Sequence, residues 1–248
     1  MFWDDLTRRP SRSRFTLAAL AGAALVLPAA AMAGVVVKSS GPSAGTLKVG
    51  TKVEDGSTIS LKAGDNVTVL TSRGTQVLKG AGTFTIGAKP KEPRMRFANF
   101  TRQGAAGRVR TGAVRTGDAG EPERPNMWYV DLTEAGTTCL YDFTTVRLWR
   151  PDTAAPATYT MVEPEKADAV EIHFETGESE RVLNSERLLL AEGRTYAVRA
   201  ASEGEPVTMR FALVGEYETP EELAEMLLAK GCEAQLALMA DRLEADAE

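Results

Sequence analysis

Ile59-Ser60-Leu61-Lys62-Ala63-Gly64-Asp65-Asn66-Val67-Thr68-Val69-Leu70 is the stretch that decides the fold class. Ile59 and Leu61 alternate with Thr58, Ser60 and Lys62, and Val67 and Val69 flank Thr68. Successive side chains of a strand point to opposite faces, so period-two alternation reads as strand, where a helix would repeat every three to four residues. Between the two runs, Ala63-Gly64-Asp65-Asn66 has the residue types of a turn. The pattern continues outward. Phe84 and Ile86 alternate with Thr83 and Thr85, and Gly50, Gly56, Gly64, Gly74, Gly80, Gly82 and Gly87 punctuate the segment from Gly34 to Gly87. A meander of short strands is predicted there. At about 55 residues such a unit is near the lower limit for a core of its own. It is expected to pack against the rest of the chain or against a copy of itself.

Strand signals return from Asn126 to Glu218. The candidates are Met127 to Asp131, Thr137 to Tyr141, Val146 to Trp149, Thr158 to Val162, Ala169 to Glu175, Glu180 to Leu183, Arg194 to Ala200 and Val207 to Val214. Val170, Ile172 and Phe174 form one apolar row and Val207, Met209, Phe211 and Leu213 another. Short strands at this regular spacing predict a two-sheet sandwich over 126–218. The last segment, 219–248, is predicted to be a short helical hairpin. Thr219-Pro220-Glu221-Glu222 has the form of a capping box with proline at the first helical position, Gly231 interrupts, and Cys232, Leu236, Met239 and Leu243 then share one stripe. Residues 88–125 are basic, with Lys89, Lys91, Arg94, Arg96, Arg102, Arg108, Arg110 and Arg115, and read as a linker. The fold class is therefore mainly β, with a small β-domain, a sandwich and a C-terminal helical hairpin.

The first 33 residues read as a signal peptide. Arg8, Arg9, Arg12 and Arg14 precede an apolar core from Phe15 to Leu27, Pro28 breaks it, and Ala31-Met32-Ala33 supplies the small residues a signal peptidase accepts. Retention as an anchor is the alternative, since Phe15 to Ala33 is about 19 residues and just long enough to span. Cleavage is expected after Ala33, with a periplasmic mature form that has no transmembrane helix. The formal charge of −5 argues against nucleic acid as a partner. Cys139 and Cys232 are the two cysteines of the chain, and in an oxidising compartment an even count favours a disulfide between them. Two free buried thiols are the alternative.

Val49-Gly50-Thr51, Ile59 to Asp65, Val67-Thr68-Val69-Leu70, Arg73-Gly74-Thr75 and Leu78-Lys79-Gly80-Ala81-Gly82-Thr83-Phe84 together resemble the FecR-like extracytoplasmic β-domain of bacterial envelope proteins. The resemblance covers about a fifth of the chain and rests mostly on turn glycines. FecR-type sensors add a cytoplasmic arm for a sigma factor. This chain has only a short basic leader in that place, so sigma-factor regulation is not carried over, and the chain is more similar to envelope proteins that hold the domain without the arm. Leu190-Ala191-Glu192-Gly193-Arg194-Thr195-Tyr196-Ala197-Val198 resembles the Leu-x-x-Gly-x-x-Tyr-x-Val corner of immunoglobulin-like and fibronectin-type domains. That resemblance implies an Ig-like sandwich.

His173 is the one histidine and lies between Glu171 and Glu175 on the polar side of a predicted strand, where a solvent-facing role is expected. A Cys139–His173 dyad is conceivable, but Cys139 lies in an apparent strand without a surrounding glycine-rich motif. Glu163, Glu165, Asp168, Glu171 and Glu175 nominate no acid–base pair. No metal-ligand spacing and no phosphate loop is present, so no catalytic, metal or cofactor site is assigned. Trp128, Trp149 and Tyr129 are candidates for a carbohydrate platform, against the reading that they are core aromatics. The expected function is an exported, non-enzymatic interaction module of the cell envelope, acting on an envelope protein in signalling. The alternatives are a periplasmic glycan- or peptidoglycan-binding protein and a cysteine-dependent enzyme.

Overall fold

The computed structural model describes residues 32–71, 73–87, 100–102, 124–166, 168–183, 188–201 and 204–247. Fourteen strands and two helices are laid out along the described chain. The first six strands are β1 (Met32–Ser40), β2 (Lys52–Glu54), β3 (Thr58–Leu61), β4 (Asn66–Thr71), β5 (Gly74–Lys79) and β6 (Gly82–Thr85). They form a four-stranded sheet in the order β2-β1-β4-β5 and a two-stranded ribbon β3-β6. The ribbon covers one face of the sheet. Val36, Val67, Val69 and Leu78 from the sheet meet Ile59 and Leu61 of β3 and Ile86 just beyond β6. The turn read at Ala63 to Asn66 is held by Asp65, whose carboxylate accepts from the amides of Lys62 (2.6 Å) and Ser43 (2.8 Å).

Strand β1 begins two residues before the expected end of the leader, with Met32 opposite Glu54 and a register break before Gly34. It carried no alternation in the sequence for a physical reason. Val35, Val36 and Val37 are all buried, because both faces of this strand are covered.

The remaining strands are β7 (Tyr129–Asp131), β8 (Gly136–Leu140), β9 (Arg147–Trp149), β10 (Ala157–Glu163), β11 (Asp168–Phe174), β12 (Glu180–Val182), β13 (Thr195–Ala200) and β14 (Val207–Leu213). They make a five-stranded sheet, β11-β10-β13-β14-β8, and a three-stranded one, β12-β9-β7. Val130 and Leu148 of the smaller sheet share a core with Met161, Ile172, Phe174, Tyr196, Val198, Met209 and Phe211 of the larger, so the pair is a sandwich. Within the larger sheet β8 runs parallel to β14, and in the smaller β7 runs parallel to β9. At the entry to β13 the Tyr196 hydroxyl donates to the carbonyl of Leu189 (3.2 Å) and accepts from the amide of Ala191 (2.9 Å). This is the geometry of a tyrosine corner, which pins the crossover between the sheets. Arg150, almost fully buried, lies over the Phe174 ring and donates to the carbonyls of Glu178, Ala155 and Glu175, tying two loops to one sandwich end.

Two helices close the chain, α1 (Pro220–Lys230) and α2 (Glu233–Ala247). Helix α1 starts on a capping box, with Thr219 accepting from the Glu222 amide and the Glu222 carboxylate accepting in return from the Thr219 amide. It stops at Gly231, whose φ of 74° is in the left-handed region that favours glycine. Eleven residues make a marginal helix alone, so its persistence comes from packing. Leu223, Ala224 and Leu227 of α1 and Leu236, Met239, Ala240 and Leu243 of α2 are buried against Val35, Val37 and Leu70 of the first sheet. The same cluster holds Cys139, Trp128, Ala212 and Val214 of the sandwich side. Burying each large aliphatic side chain is worth about 1.5–3 kcal/mol. The helices thus form a layer that touches both the four-stranded sheet and β8, and all the described residues fall in one compact unit.

The expected linker, 88–125, lies largely outside the described residues. Its described members are not bare tether. Phe100 and Thr101 are buried, the Thr101 carbonyl accepts from the Trp128 indole (2.8 Å) and from the Tyr217 hydroxyl, and the Arg242 guanidinium lies over the Phe100 ring. No helix among the described residues is long and apolar enough to cross a membrane. The leader, apart from its last two residues, lies outside the described residues.

Candidate functional site

Cys139 and Cys232 lie at bonding distance, 2.02 Å between sulfurs, and join β8 to the start of α2. Both are fully buried. Beside them Gln235, also buried, completes the outer edge of β8. Its Oε1 accepts from the Cys139 amide (2.6 Å), and its Nε2 donates to the carbonyls of Cys139 (2.8 Å) and Met127 (2.9 Å). Strand β8 ends the five-stranded sheet, and one amide side chain there does the work of a further strand. Sequence reasoning missed Gln235, because a polar residue beside an apolar stripe carries no sign of what it faces.

The helical hairpin is clamped to the first sheet by charge. Lys38 on β1 donates to Asp241 (2.7 Å) and Glu244 (2.9 Å) of α2, and Thr68 on β4 donates to Glu244. Burial alone would push the Glu244 carboxyl up. The hydrogen bonds from Thr68 and Lys38, with the lysine charge, outweigh it and hold the group below the ordinary glutamate value. The same hydrogen bonds, to Asp241 first, raise the Lys38 amine.

Cys139 and His173 are not brought together. Cys139 lies on β8 and His173 on β11, at opposite edges of the five-stranded sheet. Four strand spacings put them about 19 Å apart, and Cys139 is in the disulfide. His173 is exposed, with Nδ1 2.9 Å from the Thr158 hydroxyl and Nε2 3.7 Å from Glu171. Glu163 is buried and paired with Arg194 and Lys166, a structural ion cluster. Glu165, Glu171 and Glu175 are exposed. Among the described residues no group of three or more His, Cys, Asp or Glu is placed to hold a metal ion.

The candidate platform aromatics are core residues. Trp128 packs edge-on against Tyr141 and lies beside Tyr217. Tyr129 and Trp149 pair on the outer side of the smaller sheet under Arg147 and Arg124. All three are at most 6 % exposed, so they present no flat ring to a sugar. Burial, with the Glu180 charge behind it, pushes the Tyr129 hydroxyl up to about 12.

The surface feature that remains is a groove of about 600 Å³ between β2 and α1. Its apolar lining is Val35, Gly50, Met226, Leu228 and Ala229, and its polar lining is Lys52, Glu222 and Glu225. Gly50 has a φ of 88°, and a side chain there would reach toward Leu228. Lys52 pairs with Glu225 across the groove at 2.8 Å. Next to Gly50, Val49 is 46 % exposed and extends the apolar surface outward. Its walls come from residues some 170 positions apart, so no local motif announced the site. Comparison with protein-family models, with curated proteins and with solved structures gave no match.

Proposed function

We propose that this chain is an exported, non-enzymatic interaction module of the cell envelope, in which a FecR-like β-unit and an Ig-like sandwich are held together by the C-terminal helices and serve signalling through an envelope protein partner. The observation that carries this reading is the groove between β2 and α1, an open apolar floor beside an edge strand with a charged rim. Grooves of this kind accept polypeptide segments, because main-chain pairing and apolar anchors act together. The basic leader with its Ala31-Met32-Ala33 ending supports export, and the Cys139–Cys232 pair suits an oxidising compartment. The turn glycines of the FecR-like stretch and the tyrosine corner at Tyr196 support the two domain resemblances.

Site-specific photo-crosslinking in the native host tests the reading. A photoreactive residue at Ala229 is expected to capture one discrete envelope protein, whereas the same residue at Thr145, exposed on the sandwich, is expected to capture none. The mature protein recovered from the periplasm should begin at Gly34. A protein retained in the cytoplasm, or one that crosslinks to no protein from any surface position, refutes the proposal.

A further inference from the structure

Strand β2 ends the four-stranded sheet, so among the described residues its outer edge has no strand beside it. Lys52 lies opposite Val35 in the register and turns toward α1, where it meets Glu225. A strand added outside β2 would therefore send alternate side chains into the space between the sheet and α1. One such side chain would meet Met226, Leu228, Ala229 and the bare backbone of Gly50, an apolar floor. Its neighbour two positions away on the Lys52 side would meet the carboxylates of Glu225 and Glu222, toward the start of α1. Among the described lining residues, Lys52 is the one cation against Glu222 and Glu225, and Glu221 stands beside them. Burial first, and then the charges of Glu225 and Glu222, raise the Glu221 carboxyl above the usual range, and Lys52 offsets this only in part.

We infer that the groove receives an extended segment of a partner protein, added along β2, with an apolar residue seated on Leu228 and Ala229 and a lysine or arginine two positions away on the side facing Glu225 and Glu222. This rests on the interaction-module reading and names the chemistry of its partner. Apolar burial supplies affinity, main-chain pairing sets the direction, and the excess carboxylates select cationic neighbours and reject acidic ones.

The test uses the full chain and the peptide acetyl-Thr-Lys-Thr-Leu-Thr-Lys-Thr-amide, with amide chemical shifts as the readout. Binding is expected to move the amides of 50–54 and 226–229. Exchanging both peptide lysines for glutamate, or leucine for serine, should abolish those shifts. In the protein, Glu225→Lys on the half-exposed rim should weaken binding about tenfold, and Ala229→Trp should block the floor while leaving the fold intact, as its unchanged amide spectrum elsewhere would show. The inference fails if the glutamate or serine peptide binds as well as the parent. It fails if the shifts fall elsewhere or do not occur. It also fails if the same amides shift with protein concentration alone and Ala229→Trp removes that effect, since the occupant would then be a second copy of this chain. A discrete protein captured from Ala229 in the native host, together with failure of the lysine peptide, would leave the interaction module standing and overturn only this assignment of its partner.

Discussion

Replacing Gln235 by leucine keeps a side chain of similar bulk on α2 and removes every polar atom that completes the edge of β8. Three hydrogen bonds disappear, the acceptor for the Cys139 amide and the donors to the Cys139 and Met127 carbonyls. All three groups lie in a buried region where water cannot replace the lost partner. An orphaned buried amide costs about 1–3 kcal/mol, and a lost hydrogen bond about 1 kcal/mol. Carbonyls tolerate the loss better, and the added apolar burial offsets part of the total, so Gln235→Leu is expected to destabilise by about 3 kcal/mol. For a chain of this size that is a fall in Tm of about 6–12 °C. Gln235→Glu sharpens the test. Its carboxylate accepts from the Cys139 amide but turns its other oxygen on two carbonyls, so burial and repulsion raise its folded pKa. The variant is then least unstable below the unfolded glutamate pKa, and loses stability as pH rises through the raised folded value. The assay is chemical denaturation of the oxidised proteins across pH, with thiol titration confirming that Cys139–Cys232 is intact in each. A Gln235→Leu protein within about 1 kcal/mol of the parent, or a Gln235→Glu protein with no added pH dependence, would refute the argument that this side chain completes the sheet.

Removing the disulfide by Cys139→Ala with Cys232→Ala opens a loop with a sequence separation of 93 residues. The chain-entropy model sets the loss at about 4–5 kcal/mol as an upper figure, read as a lower denaturation midpoint. Tyr196→Phe should cost about 1–2 kcal/mol, because it deletes the hydroxyl that meets both Leu189 and Ala191; an unchanged Tm would mean that the corner does not tighten the sandwich. The Glu244 carboxyl is held below its ordinary value of 4.5, so its contribution is complete above that value and is lost as pH falls through the depressed one. Lys38 is raised, so its share is complete below the ordinary lysine value of 10.5 and is lost only as pH rises through the higher folded one. Glu244→Gln should therefore remove part of the acid limb of the stability profile, and an identical limb in the variant would count against the clamp.

Local chemistry made much of this protein legible. Period-two alternation marks strands such as β10, which buries one row of side chains and leaves the other more exposed, and the sandwich strands were read with ends within two residues of their positions, although β7 is buried throughout. The capping box at Thr219, the stop at Gly231 and the stripe from Cys232 to Leu243 placed both helices, since helix ends are satisfied by neighbours in sequence. What stayed hidden depends on distant pairs. Strand β1 reads as an apolar run, and Thr68 reads as a polar residue facing water. Both are buried, because α1 and α2 cover the second face of the first sheet, with Glu244 accepting from Thr68. Trp128, Tyr129 and Trp149 kept two readings until their neighbours were known, because an aromatic ring suits a core and a sugar platform equally well. Gln235 and the groove at Gly50, Lys52 and Ala229 bear no mark in the sequence. A hydrogen-bond partner or a groove wall is fixed by where the chain returns in space, and residue type and spacing carry no record of that return.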